Sequence, residues 1–573
     1  MLKGTEADNR HDYHIKNTIL AVIFVVIFSV ILCHIWNLYY AVNDDLNFRD
    51  IFSGAYIGSP SYSLVIQWPL SSIFQFLYGH FAGIDFWAYY LVLSHFLCWV
   101  IWVERALDEA GNTAYTWIGI SLILLAIDVP NVILFQFTTT ATVYAVTGIV
   151  LLSDKRFNNM IWAAIMFAMA FATRRENFIM IVPFIIVILC MRIYEERENV
   201  QYILRQELKF IVLLLLLVGI FYVTSISLYH AVMQNEEYSE YRKIREKIYD
   251  YEGIPDWNTY PEFYEKLGIS YGEYEAIRTH NTGLDFGEDI SDILIQISQF
   301  NSTLKQNQGR SEGVKLALGR MVAMGQRIMV RPQVVIVIGS MIILGIAAIY
   351  YKQYIYFLIM LAGFGGAWAE VLLLCYKSRM PERVFQSIML VAIIWILTIH
   401  GRISPNSKRN RKFQVGIDSA AMLGVCVVLV FLLLPAIGTK QQEYAERFKV
   451  SEIVRQYRLE NSENVYFTPY NFNSGNTDTL GNTYSSAFDN TVRLGLGIKA
   501  PQYEEKLTFA GITESEEVSM LTKENVYVIG LEKANQLEVF HTYFREKYGD
   551  RYYYEIVDIL DHTIYILKLG LRD

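Results

Sequence analysis

Long apolar runs separated by short polar loops fill the first 436 residues, at about 18–36, 85–103, 115–128, 131–153, 160–172, 178–193, 210–229, 333–351, 354–375, 384–400 and 416–436. A helix rises about 1.5 Å per residue and the hydrocarbon core of a bilayer is ~30 Å thick, so runs near twenty residues are long enough to cross. The pattern predicts about eleven transmembrane helices. The first run is span-length and lacks a small-residue cleavage site, so it reads as a retained anchor.

The segment 61–80, "SYSLVIQWPLSSIFQFLYGHF" with its next residue, decides the topology. If it crosses, every later loop changes side and most Lys and Arg of the short loops fall outside. If it lies as a re-entrant or interfacial helix, most fall inside, as the positive-inside rule requires. Gln67, Pro69, Ser71 and Ser72 also suit an interface better than lipid. The expected arrangement is a multi-pass cell-membrane protein with a cytoplasmic N-terminus and an extracytoplasmic C-terminal domain.

Some spans stop short on that outer side. "MIWAAIMFAMAFA" precedes "TRREN", and "YTWIGISLILLAIDV" runs into Asp128, Pro130 and Asn131. Charged, irregular backbone at membrane depth is tolerated where protein or a water-filled cavity surrounds it. Asp128, Gln136, Arg174, Arg175 and Glu176 are therefore expected to border a polar cavity open to the outer face. The alternative is tight hairpins whose arginines snorkel to the headgroups.

Two stretches are polar enough to be soluble. Residues 230–328 are rich in Tyr, Glu and Lys with helical patches, and are assigned with the acidic loop 37–84 to a membrane domain of residues 1–436. Residues 438–573 read as a small α/β domain: a helix over "EYAERFKVSEIVRQYRLE", strands at "NVYFTPY" and "NVYVIGL", a helix over "LEVFHTYFREKYG" and a closing hairpin. His541 and His562 are isolated and read as structural, and no phosphate-binding glycine motif is present.

Composition agrees: 53% hydrophobic, 18% charged, mean hydropathy +0.26. A net charge of −8 argues against a nucleic-acid partner. Cys33, Cys98, Cys190, Cys375 and Cys426 all lie in or beside apolar runs and read as small buried hydrophobes, without disulfide or metal spacing.

Candidate chemistry gathers on the predicted outer side. "NLYYAVNDDLNFRDIFSGAYIGSP" sets Asp44 and Asp45 side by side just past the first span. Such a pair serves as a solvated loop or helix start, as ligands for a divalent cation (Mg or Mn), or as a general base with an orienting neighbour. No cofactor is otherwise indicated. "CYKSRMPERVF" adds Lys377, Arg379 and Arg383, and "ATRREN" adds Arg174 and Arg175. Guanidinium groups facing outward, against the charge rule, suit an anionic lipid headgroup such as a polyprenyl phosphate. Contact with ordinary anionic lipid, or ion pairing with Glu176 or Glu382, is the plainer reading.

An acidic pair after the first span, a Gly-Pro-containing turn and an interfacial helix together resemble the first outer loop of GT-C superfold glycosyltransferases. "NDDLNFRDIFSGAYIGSP", "FQFTTTATVYAV" and "KSRMPERVFQS" also resemble polytopic proteins of Gram-positive bacteria. Where many GT-C members carry an acidic residue and His-Pro-Pro at the interfacial helix, this chain has "SPSYSLVIQWP". The resemblance implies a polyprenyl-phosphate-linked sugar donor, an envelope glycan or lipid acceptor, Asp44 or Asp45 as base, and Arg174, Arg175, Arg379 and Arg383 on the phosphate. A polysaccharide polymerase, a transporter and a non-catalytic scaffold are the competing readings, and no internal repeat favours transport.

Overall fold

The computed structural model describes residues 2–572 except 82, 155, 233–235, 308, 378–379, 404–407, 470–471, 473–475, 483–488, 496–497, 513–516 and 532–535. It is a polytopic α-helical membrane protein carrying a small α/β domain. The first helix, α1 (Leu2–Ile35), leads into a two-residue strand, β1 (Tyr39–Tyr40), then α2 (Asn43–Ser53), α3 (Trp68–His80), α4 (Phe86–Ala110) and α5 (Ala114–Ile127). A single turn, α6 (Val129–Ile133), and strand β2 (Leu134–Phe135) precede α7 (Phe137–Leu152), α8 (Phe157–Thr173), α9 (Arg175–Glu195) and α10 (Val200–Val232). Helices α11 (Glu236–Glu246), α12 (Pro261–Leu267), α13 (Tyr271–Arg278), α14 (Ile290–Asn307) and α15 (Gly309–Met329) form the long loop. The bundle closes with α16 (Pro332–Tyr350), α17 (Tyr354–Tyr376), α18 (Glu382–His400), α19 (Lys408–Val428) and α20 (Leu434–Glu460).

Among the described residues, eight helices are long and apolar enough to cross a membrane, and three shorter apolar ones are α5, α7 and most of α8. Of these, α7 lies inside the bundle, whereas α5 and α8 keep exposed apolar residues such as Ile118 and Trp162. All of α7 except Val150 is buried, including Thr138, Thr139, Thr140, Thr142 and Thr147. Four of these threonines return their hydroxyl to a backbone carbonyl of the helix, as in Thr147 Oγ1 to Val143 O at 2.7 Å, which makes a threonine-rich helix tolerable without water. Trp87, Trp99 and Trp395 are fully buried in the same core.

α3 has 13 residues, about 20 Å of helix, with Pro69 in its first turn, so the segment expected at 61–80 is helical only over its second part. Leu70, Phe74 and Tyr78 face inward, and Trp68, Ile73 and Phe76 are exposed. The cysteine expectation needs correcting: Cys98 and Cys375 are buried, but Cys33 and Cys190 are exposed and Cys426 is half-buried.

The last span does not stop at the membrane. α19 passes through a π-helical stretch (Leu429–Leu433) into α20, whose second half packs on the C-terminal sheet. That sheet has the order β4-β3-β5-β7-β6, with β3 (Val465–Thr468) parallel to β4 (Thr491–Arg493) and to β5 (Val526–Leu531), and β6 (Tyr552–Leu560) and β7 (Ile564–Leu571) antiparallel. The long loop is not a free roof. Tyr241, Ile248, Tyr264, Ile277 and Leu294 share one hydrophobic cluster with Val465, Phe467, Val528, Phe540 and Leu567 of this domain.

Candidate active site

β1 pairs with β2 in parallel, Tyr39 opposite Leu134 and Tyr40 opposite Phe135, and so fixes the end of α1 beside the start of α7. The segment 477–480 lies along the same strand: Tyr40 N donates to Asp478 O at 3.0 Å, Leu480 N to Leu38 O at 2.9 Å, and Thr477 Oγ1 to Tyr40 O at 2.8 Å. The C-terminal domain is thereby stitched to the chain just ahead of the acidic pair.

The pair opens α2. Asp44 and Asp45 occupy its first turn, where the helix dipole favours negative charge, and Gly54 ends it at φ 88°, the left-handed conformation that suits glycine. Successive helical residues point about 100° apart, so neighbours in sequence are not neighbours in space. Asp45, Leu46, Phe48, Arg49, Phe52 and Ser53 form the buried face. Asp44 falls outside it.

The two aspartates therefore meet different surroundings. Asp45 is fully buried and accepts from Trp87 Nε1 at 3.1 Å and from the backbone N of Phe137, the first residue of α7, at 3.2 Å. Burial, with Asp44 adding to it, drives the Asp45 carboxyl well above the usual carboxylate range, against the opposing pull of Trp87, Phe137 N and Arg383. Asp44 keeps a side chain 40% exposed and takes one ion pair, Arg383 Nη1 to Asp44 Oδ2 at 2.9 Å. Arg383 Nε is shielded from solvent and has no hydrogen-bond partner.

Around this pair, Arg174 lies over the Phe137 ring, 4.9 Å from its centre, and donates to Thr138 Oγ1. Phe137 is thus the common neighbour of Asp45 and Arg174. Arg331, at the N-cap of α16, stacks on Phe385 at 4.9 Å and reaches Glu382 at 3.6 Å.

Other predicted residues stand apart. Arg175 is exposed and pairs at 3.5 Å with the exposed Glu176, which also lies 3.8 Å from Arg174 Nε, and Lys377 is exposed at the end of α17. Arg379 is outside the described residues. Asp128 does not line an open cavity: it is fully buried, holding His95 Nδ1 at 2.8 Å, Trp99 Nε1 at 2.6 Å and Asn131 Nδ2 at 3.0 Å, a hub that closes the break between α5 and α6. Gln136 is also buried, and its Oε1 has no hydrogen-bond partner. For the acidic pair as cation ligands, the side chains diverge, and among the described residues no group of three or more His, Cys, Asp and Glu side chains could hold a metal ion.

One buried network escaped the sequence reading. Arg49 Nη1 contacts Asp478 Oδ2 at 2.6 Å and Asp85 Oδ2 at 3.3 Å, and its Nε contacts Asp50 at 3.1 Å. Asp85 also accepts from Tyr40 OH at 2.8 Å and Tyr78 OH at 2.9 Å. Arg49 is a cation on the predicted outer side, which was a signal. Its partner Asp478, 429 residues away, was not readable.

No family model matches the chain, and no curated protein matches it. Among solved structures the chain is similar to the crystal structure of ArnT from Cupriavidus metallidurans bound to undecaprenyl phosphate. The two share 11% sequence identity over 96% of this chain and 97% of that one, with a TM-score of 0.38.

Proposed function

We propose that the chain is a GT-C-type membrane glycosyltransferase that moves a sugar from a polyprenyl-phosphate-linked donor to an envelope glycan or lipid acceptor. In this reading residues 1–436 are the membrane domain and 438–573 an extracytoplasmic α/β domain, with α2 on the outer face and the N-terminus cytoplasmic. The observation that carries it is the division of labour within the acidic pair: a half-exposed Asp44 held by Arg383, above a fully buried Asp45.

Asp44 is the general base. Its free oxygen takes the proton of an acceptor hydroxyl as that oxygen attacks the anomeric carbon. The bond from that carbon to the donor phosphate breaks, the phosphate leaves with the electron pair, and a single displacement inverts the centre. Arg383, with donors left after holding Asp44, and Arg174 offset the charge growing on the leaving phosphate. Asp45 positions α2 against α4 and α7 without touching substrate. Arg331 joins the cationic set as a residue the sequence did not single out.

The test is sugar transfer in vesicles supplied with polyprenyl-phosphate sugars, comparing wild type, Asp44→Asn and Asp45→Asn at matched expression. Loss of transfer in Asp44→Asn, with Asp45→Asn largely active, supports the assignment. Unchanged transfer in Asp44→Asn returns the pair to a solvated helix start.

A further inference from the structure

The long loop ends in α15, which leads through Val330 and Arg331 into the span α16. Its last turns belong to the bundle: Ile328 lies in the membrane core, Met321 and Met324 pack against that core, and the helix rests on the span α17. Arg331 then ties the start of α16 to Glu382 and Phe385 at the start of α18. α15 is therefore held at the level where two spans begin.

A second apolar face of α15 stays open. Val314, Leu318, Val322 and Met329 are each at least 50% exposed. At about 100° per residue these four fall within about 80° of one another, next to the arc of Met321, Met324 and Ile328. The whole apolar arc is about 160° wide, and the bundle covers one side of it. Exposed cations border both edges, Lys315 on one and Arg320 and Arg327 on the other. In sequence the helix carries Arg310, Lys315, Arg320 and Arg327 against a single acid, Glu312. Lys315 and Arg327 take no ion pair or side-chain hydrogen bond among the described residues. Gly313, Gly319 and Gly325 interrupt the helix, so it depends on packing against a surface rather than on intrinsic propensity.

We propose that α15 is an interfacial helix that seats Val314, Leu318, Val322 and Met329 in the acyl edge of a leaflet and presents its cations to anionic phospholipid headgroups. Two observations choose lipid over a protein partner. The open stripe continues an apolar face already packed in the membrane bundle, so the hydrocarbon that covers the neighbouring spans reaches it. The cations flank both edges of that stripe, where long side chains rise from the acyl region to the phosphates. On the proposed orientation this is the outer leaflet, beside Arg331. The inference rests on the membrane fold and not on the transferase reading.

The experiment uses the full chain in vesicles of phosphatidylcholine mixed with phosphatidylglycerol. Single-cysteine spin labels at Leu318, Val322 and Ala323, in a variant without the native cysteines, are read for exposure to oxygen and to an aqueous nickel chelate. Labels at Leu318 and Val322 are expected to favour oxygen; the label at Ala323, exposed on the polar face, is expected to favour nickel. The proposal is overturned if Leu318 and Val322 meet nickel as Ala323 does, or if a second copy or another protein shields them from both agents. Charge is read without labels, as the preference for phosphatidylglycerol over phosphatidylcholine among the lipids retained in native mass spectrometry. Lys315→Gln combined with Arg327→Gln is expected to lower that preference roughly fivefold for each cation removed. An unchanged preference overturns the proposal equally, and this arm decides where the cysteine-free chain does not fold. No sugar transfer is read in either arm, so the outcome is independent of the role of Asp44.

Discussion

Arg383 crosses 339 residues of sequence to place its Nη1 2.9 Å from Asp44 Oδ2, joining the first turn of α2 to the first turn of α18. Both side chains keep part of their surface in solvent, 23% for Arg383 and 40% for Asp44. Pairs of this exposure contribute about 0–1 kcal/mol to stability. Arg383→Gln is therefore expected to leave the unfolding midpoint nearly unchanged. On the proposed role of Arg383 at a donor phosphate, loss of a charge-assisted bond worth about 1.5–3 kcal/mol is expected to raise the KM for a lipid-linked donor roughly tenfold or more. Steady-state transfer alongside a thermal melt separates the two effects.

Asp45 should behave in the opposite way. Asp45→Ala leaves Trp87 Nε1 and Phe137 N as buried donors without an acceptor, each at about 1–3 kcal/mol, whereas Asp45→Asn keeps an oxygen for them. The alanine variant is expected to melt well below the asparagine variant in detergent. Equal midpoints for the two would show that these bonds do not hold α2 in place.

Arg49 is the clamp between bundle and domain. Arg49→Met strands Asp85 and Asp478, and removing one member of a buried ionic group costs about 3–5 kcal/mol. The expected result is a lower unfolding midpoint and faster protease cleavage between the last span and the C-terminal sheet. Wild-type cleavage rates would count against the clamp.

The soluble core carries a pH-dependent contact. Glu517 of the helix Glu517–Leu521 is buried, accepts from Asp285 N at 3.0 Å and Tyr543 OH at 3.0 Å, and burial raises its carboxyl to about 7. Between about pH 4.5 and 7 the folded protein keeps a proton that the unfolded chain has released, so this group's contribution to stability falls as pH rises through that window and levels off above it. The total is on the order of 3 kcal/mol. Glu517→Gln is expected to remove that slope, which melting curves at pH 5, 6, 7 and 8 will reveal.

Much of the scaffold was legible because apolar period and length need no partner to be read. Most of the spans, and the strands and helices named in the C-terminal domain, lie where the patterns put them, but the run 131–153 divides into the end of α6, β2 and α7. The candidate site was legible only in its residue types. A dipeptide such as Asp44-Asp45 looks like one feature in sequence, yet a helix turns its members to different surfaces, and only packing decides which one is buried. Asp128 shows the same limit: an acid at a span end reads as cavity-lining until His95 and Trp99, from α4, close on it. Arg49–Asp478 and the union of the long loop with the sheet depend on contacts between distant parts of the chain, which no local pattern carries.

The strand pair between Tyr40 and residues 477–478 has a consequence for biogenesis. Thr477 and Tyr40 are 437 residues apart, so the edge of β1 has no partner there until the last span and the start of the sheet domain have been made. During synthesis Arg49 faces Asp85 without Asp478, and the wall that closes over α2 is missing. A nascent chain stopped after α20 would be an inserted bundle with an unfinished first loop. Assembly of that loop therefore belongs to the closing moments of translation, however early its residues leave the ribosome.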